Sequence, residues 1–246
     1  MAKSWQQKII IILLAFYWPI LFILAHIPIP QYVRKAGVSD KSLHFLAYLI
    51  LTFLLWFAIR PDEKVKWRKA AVWWVFITVT GYGAVDEVVQ SLVGRTCDAM
   101  DIVANLAGNL TGLLLFSFFP FWSAALFVTG IVIFGITNLL RANLAELLPV
   151  TNTIFHFFAY AFFSVLWIHN MHLNIYRKSS NKKWFIQALA VPTGLLLTVK
   201  LFSTIMGRHF AASDTVASLG AIITVVAAVH LWDLYNKTSD LHNKDL

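Results

Sequence analysis

Three groups of polar residues in the first half of the chain have the types and spacing for acid-base chemistry or for holding a charged ligand. Lys41, His44 and Tyr48 stand at i, i+3 and i+7, on one face of a helix. Asp86 and Gln90 share a second helical face at i, i+4, with Glu87 beside them. Asp98, Asp101, Asn105 and Gly108 follow at steps of three and four, with Arg95 in the turn ahead of them. A carboxylate near an imidazole can pass a proton as general base or acid, and an arginine beside the pair can grip a phosphate. His44, Asp86 and Glu87 are therefore the candidate catalytic residues. The wider candidate ligand-binding set is Lys41, His44, Tyr48, Asp86, Glu87, Gln90, Arg95, Asp101 and Asn105.

The elements that must position these residues are membrane helices. The 246-residue chain is 59% hydrophobic and 13% charged, with a mean hydropathy of +0.70. Soluble domains carry about 45–50% apolar and about 25% charged residues. A bilayer core about 30 Å thick needs about 20 apolar residues per helical crossing. Eight runs qualify: Lys8 to His26, Leu43 to Ile59, Ala70 to Leu92, Ile102 to Phe119, Phe121 to Leu140, Thr153 to His169, Trp184 to Ile205 and Thr215 to Tyr235. Such unbroken apolar runs do not fit the alternating strands of a barrel. The fold expected is all-α, a polytopic transmembrane helical bundle, with the first run an uncleaved anchor.

Ionisable groups at membrane depth cost about 2.5–3.5 kcal/mol each at a helix centre, so a cluster of them calls for a reason. Several of these residues have structural duties open to them. Asp98 is suited to cap the fourth helix with Asp101 at its third position. Asn105, Gly108 and Gly112 are suited to close helix packing. Tyr48 and Tyr160 are expected to be interfacial anchors. His44 and His156 fit a functional role and an internal hydrogen-bonded role equally. Asp86 beside Glu87 is the hardest pair to explain without function, and needs partners such as Arg95, Lys41 or His44.

The chain also repeats itself. Asp40-Lys-Ser-Leu-His-Phe-Leu-Ala-Tyr48 returns 112 positions on as Asn152-Thr-Ile-Phe-His-Phe-Phe-Ala-Tyr160. Gly94-Arg95 and Asp101 return as Gly207-Arg208 and Asp214, 113 positions on. Two parallel four-helix repeats are expected, over residues 1–120 and 121–236, followed by a polar tail over 237–246. The second copy keeps His156, Tyr160, Arg208 and Asp214 but has Val199 where the first has Asp86, Lys200 for Glu87, Ser203 for Gln90 and Ser218 for Asn105. The working site is thus expected in the first copy. Thr80-Gly81 aligns with Thr193-Gly194, beside Gly83 and Pro192, which marks either plain kinks or a broken-helix transport site.

The net charge of +8 is spread over short loops, as topology signals are, and implies no nucleic-acid partner. Thirteen loop Lys and Arg residues on one side against six on the other put both termini in the cytoplasm and the repeated motifs outside. Cys97 is the only cysteine, so no internal disulfide forms. His44, Asp86, Glu87 and Asp101 are metal-ligand types, but their spacing matches no recognised motif, and neither a metal nor another cofactor is expected.

Asp40-Lys41-x-x-His44-Phe45-x-x-Tyr48, Asp86-Glu87-x-x-Gln90, Gly94-Arg95 and Asp101-x-x-Ala104-Asn105-x-x-Gly108, in that order, resemble the VanZ-like family of small bacterial membrane proteins. The resemblance covers roughly Pro28 to Leu115. It implies a multi-pass protein of the bacterial inner or plasma membrane, linked through the family's namesake to resistance against the glycopeptide antibiotic teicoplanin. The expected partners are the lipid bilayer and a lipid-linked envelope precursor or a glycopeptide, held in an outward-facing polar pocket. The alternative is a membrane enzyme acting on a lipid-linked headgroup, with Asp86 or Glu87 as base, His44 as acid or base and Arg95 on a phosphate. A small-solute transporter ranks third, since the inner halves of the spans are almost wholly apolar.

Overall fold

A computed structural model describes residues 5–26, 40–61, 63–92, 98–139, 148–174, 181–208 and 210–242. Among the described residues the chain is almost wholly helical, with no strand. The helices are α1 (Trp5–His26), α2 (Asp40–Ile59), α3 (Ala70–Leu92), α4 (Ala99–Phe118), α5 (Phe121–Phe134), α6 (Pro149–Asn174), α7 (Asn181–Ile205) and α8 (Ala212–His242). α5 continues into a π-helical turn, Gly135–Leu139. With that turn counted into α5, all eight are long and apolar enough to cross a membrane.

Six of the eight helices start about a turn before the apolar runs that mark them, and four stop where their runs stop. α2 begins at Asp40 and α4 at Ala99, each ahead of its first long apolar stretch. Apolar length measures the hydrocarbon crossed, whereas the backbone hydrogen bonds continue through polar first turns. Asp98 starts α4 by accepting from the backbone N–H of Met100 at 2.8 Å, in the N-cap geometry that satisfies an otherwise orphan donor. At the other end Pro120 cannot extend α4 and instead opens α5.

Packing divides the chain into two compact units, Met1–Ala142 and Asn143–Leu246. The first contains α1 to α5 and extends beyond residue 120, because α5 packs against α2 and α4. α2 is its hub, touching α1, α3, α4 and α5. It is apolar on every side, and Leu49, Leu51, Trp56 and Phe57 are fully buried; a helix hydrophobic all round belongs in an interior. Of its membrane-crossing window 61% is buried, against 6% for α1.

The α2 and α4 backbones approach through small residues. A Cβ at Gly108 would lie 2.3 Å from the carbonyl oxygen of Phe45, and one at Gly112 would lie 3.1 Å from Thr52. Four-residue spacing of small side chains is what lets membrane helices pack this closely. Asn109, fully buried between these glycines, ties three helices together. It accepts from the Thr52 hydroxyl at 3.1 Å and donates to the Phe76 carbonyl at 3.0 Å and the Thr80 hydroxyl at 3.1 Å. α1 packs along α2, with Gln7 donating to the Ala58 carbonyl and Tyr17 to the Ala47 carbonyl.

The second unit consists of α6, α7 and α8, and its most extensive packing joins α6 to α8. Gly207, at φ +67°, terminates α7. The Gly207 N–H donates to the Thr204 carbonyl at 3.0 Å and the Arg208 N–H to the Ser203 carbonyl at 2.8 Å. These are the paired bonds of a Schellman cap, in which a left-handed residue is needed. The glycine of the Gly207-Arg208 motif thus has a backbone duty.

Candidate functional site

The polar residues of α2, α3 and α4 meet at one end of the first unit, held together by the glycine and Asn109 contacts below them. His44 on α2 is the centre. Asn105 Oδ1 on α4 accepts from His44 Nδ1 at 2.9 Å, so that nitrogen carries the ring proton. Glu87 Oε1 on α3 lies 3.8 Å from the same nitrogen. Asp101 Oδ2 on α4 lies 3.8 Å from His44 Nε2. The imidazole is therefore flanked by two carboxylates on two different helices, and all three residues are buried.

Glu87 is fully buried, and neither of its carboxylate oxygens takes a side-chain hydrogen bond from a described residue. It faces the His44 ring and the backbone at Asp98. Asp86, the next residue, turns to a different partner set. Gln90 donates to Asp86 Oδ2 at 2.9 Å, the i, i+4 bond that their spacing predicts. Asp86 Oδ1 lies 3.9 Å from Nδ1 of His26, at the end of α1. The adjacent carboxylates of α3 thus stand near two imidazoles, one on α2 and one on α1, the latter bonded through the same Nδ1 to the Phe22 carbonyl at 2.7 Å.

Lys41 lies at the rim. Its ammonium donates to Asp98 Oδ2 at 2.7 Å and stands 3.8 Å from Asp101 Oδ1. The Lys41 hydrogen bond holds the Asp98 carboxyl below the usual carboxylate range, helped by the Met100 backbone N–H. Arg95 and Cys97 lie outside the described residues, as does Gly94.

Tyr48 departs from its expected role. It is buried, with its ring stacked on Tyr82 and its edge against Gly83, and is not an interfacial anchor. The reason is the missing side chain of Gly83, where a Cβ would come within 3.0 Å of the Tyr48 ring. Its hydroxyl makes no hydrogen bond to a described residue. Tyr160 is likewise buried, within the second unit.

Beside His44 a cavity of about 300 Å³ opens between α1, α2 and α3. Tyr17, Ile20, Leu21, Leu24 and Ala25 of α1 form one wall, with Leu43 and Ala47 of α2 opposite. His44, Tyr48 and Asp86 add polar groups to its lining. The shape suits a molecule with an apolar tail and a polar head.

A family model described as VanZ/LLP1 matches residues 3–120. Residues 3–120, just under half of the chain, are thus similar to that family. No curated protein and no solved structure matches the chain. The VanZ-like stretch contains every member of the cluster and ends one residue before α5.

Among the described residues the second unit carries no such cluster. Asp214 is satisfied by neutral groups, Asn152 Nδ2 and the Thr153 hydroxyl, both at 2.7 Å. His156 is fully buried against Phe210 and Tyr160, and neither ring nitrogen bonds to a described residue. Ser218 bonds back to the Asp214 carbonyl of its own helix. Lys200 is exposed, 3.4 Å from the Thr215 hydroxyl.

His26, Tyr17, Tyr82 and Asn109 belong to the site or its support and were not singled out by spacing. His26 had one sequence signal, an ionisable residue closing an otherwise apolar span. Asn109 had another, a carboxamide four residues after Asn105 and hence on the same face.

Proposed function

We propose that the first unit of this VanZ-like membrane protein binds the polar head of a lipid-linked molecule of the bacterial cell envelope, with its tail along α1. The observation that carries this is the cavity whose lining is mostly apolar, with His44, Tyr48 and Asp86 among its polar members. A soluble polar ligand would gain nothing from the α1 wall, whereas burial of an acyl or prenyl chain is worth about 0.8 kcal/mol per methylene. The protein belongs in the bacterial plasma membrane with both termini cytoplasmic and the cluster outward, as the lysine and arginine count favours. Its cellular effect is protection against a glycopeptide such as teicoplanin, which acts on envelope precursors at that surface.

The internal repeat fits the same picture. In each unit the pairing that dominates is the one between the helix carrying the His-x-x-x-Tyr pattern and the helix carrying the aspartate, α2 with α4 and α6 with α8. Residues 1–120 are then the working copy, and residues from 121 onward a diverged one that has lost the carboxylate pair.

The test is to replace Asp86 by Asn and Glu87 by Gln, separately, and to measure membrane insertion and teicoplanin susceptibility. Both variants are expected to insert at the level of the parent and to lose protection. Wild-type protection in both would end the proposal.

A second reading is supported by the geometry of His44 between Glu87 and Asp101. An imidazole flanked by carboxylates can act as general base or acid on a headgroup. Turnover of a lipid-linked substrate by purified protein, abolished by His44→Gln, is its test. Transport is less favoured, since α3 and α7 run unbroken through Gly81 and Pro192.

A further inference from the structure

We propose that His44, Glu87 and Asp101 form a binding site for a single divalent transition-metal cation. One ring nitrogen of His44, one oxygen of Glu87 and one of Asp101 lie within 4.8 Å of one another, and all three residues are buried. The ligands come from three helices, α2, α3 and α4, which is the way helical bundles assemble metal sites from facing side chains.

Three observations point to a cation. The first is Glu87, fully buried with both oxygens lacking a side-chain hydrogen bond among the described residues. A buried carboxylate needs a charged or hydrogen-bonding partner of comparable strength, since the effective desolvation penalty is several kcal/mol per ion.

The second is the orientation of His44. Asn105 Oδ1 accepts from Nδ1 at 2.9 Å, which turns Nε2 toward Asp101 Oδ2 at 3.8 Å, while Glu87 Oε1 stands 3.8 Å from Nδ1. A ligating histidine almost always donates its other ring N–H to an oxygen, which fixes tautomer and ring angle. Asn105 is thus a positioning residue, and it occupies the place of an outer-shell partner.

The third is charge. The head of a lipid-linked envelope molecule carries phosphate, and Asp86 in the lining of the cavity together with Glu87 and Asp101 would repel it. A doubly charged ion among these carboxylates lowers the negative charge that the ligand meets.

One imidazole with two carboxylates favours Mn²⁺ or Zn²⁺ over Ca²⁺, which takes six to eight oxygens. With metal-ligand bonds of about 2.0–2.2 Å, the His44 and Asp101 atoms now 3.8 Å apart would close by a few tenths of an ångström. Lys41, which reaches Asp98 and stands 3.8 Å from Asp101 Oδ1, is the competing cation. It approaches Asp101 from the rim, and no contact with Glu87 accompanies it among the described residues.

The inference shares His44 with the amphiphile cavity but is tested without any lipid, so either proposal can fail alone. The full chain is purified in detergent, stripped with a chelator and titrated with Zn²⁺ and with Mn²⁺, with bound metal read by mass spectrometry. About one equivalent per chain of one of these ions is expected, with a rise in unfolding temperature on loading. Glu87→Gln and Asp101→Asn should each weaken binding by at least about tenfold, and Asn105→Ala by about 10–100-fold with all ligands present. Glu63→Gln, a carboxylate beyond the far end of α2 that pairs with Lys69 and Arg60, should leave affinity within about twofold. Monodispersity on size exclusion shows which variants are folded, and Asn105→Ala and Asp101→Asn provide the reading if Glu87→Gln does not fold. Binding unaltered in the folded variants, or no stoichiometric uptake of either ion, overturns the assignment.

Discussion

Gly108 lies against the carbonyl oxygen of Phe45 so closely that a Cβ there would sit 2.3 Å away. No rotamer of any other residue relieves that contact, because both partners are backbone. The α2–α4 distance is set here, and with it the distance from His44 to Asp101 and Asn105 one turn further along. Gly108→Ala should therefore destabilise the first unit by about 1–3 kcal/mol, as overpacking does. At Gly81 nothing lies within 4 Å of the missing Cβ, and Gly81→Ala should be neutral or stabilise by about 0.5–1 kcal/mol through helix propensity. Unfolding in mixed micelles separates the two, and equal effects would contradict the packing described.

Asn109 makes three hydrogen bonds to Thr52, Phe76 and Thr80 at mid-depth. A double-mutant cycle of Asn109→Ala with Thr52→Val should return a coupling of about 0.6–1.7 kcal/mol, the span measured for polar pairs between membrane helices. Additive effects would mean the 3.1 Å bond contributes nothing.

Asp98 gives a pH dependence whose sign follows from its partners. Lys41 and the Met100 N–H hold its carboxyl below the usual range in the folded protein. A depressed folded value means the contribution is present above the unfolded value, about 3.9, and is lost as pH falls through the lower folded value. The stability difference between the parent and Asp98→Asn should thus be flat from pH 7 to 5 and shrink only in stronger acid. A difference that changes near pH 6 would assign the dependence to histidine instead.

The Tyr48 hydroxyl has no hydrogen bond to a described residue, although the ring is packed against Tyr82 and Gly83. Tyr48→Phe should leave stability within about 0.5 kcal/mol of the parent. If the cavity holds a polar head against this hydroxyl, teicoplanin protection falls in the same variant. Lost stability with retained protection would make the hydroxyl structural.

Much of the frame was legible in the residues. The eight spans follow from apolar run length, because hydrocarbon thickness fixes the number of residues needed. The convergence of His44, Glu87, Asp101 and Asn105 follows from helical spacing once three helix ends share an interface. Tyr48 was misjudged because its position near a span end says nothing of the neighbour it faces, and Gly83 leaves room for it inside. His26 was missed since the partner that gives it meaning, Asp86, stands 60 positions away in the chain, a relation that no local pattern encodes. Asn109 was missed because an amide within an apolar helix announces polarity but not the three groups it will bind.

α1 supplies five of the residues lining the cavity while burying 6% of its own membrane-crossing window. The wall nearest the cluster is thus also the least buried of the membrane-crossing helices among the described residues. A tail-bearing molecule already dissolved in the bilayer needs no aqueous mouth to arrive there; displacing α1 from the Tyr17 and Gln7 bonds makes a side door. Bilayer thickness and fluidity would then set the rate of loading, and a protein moved to a different membrane would work at a different speed with an unaltered site.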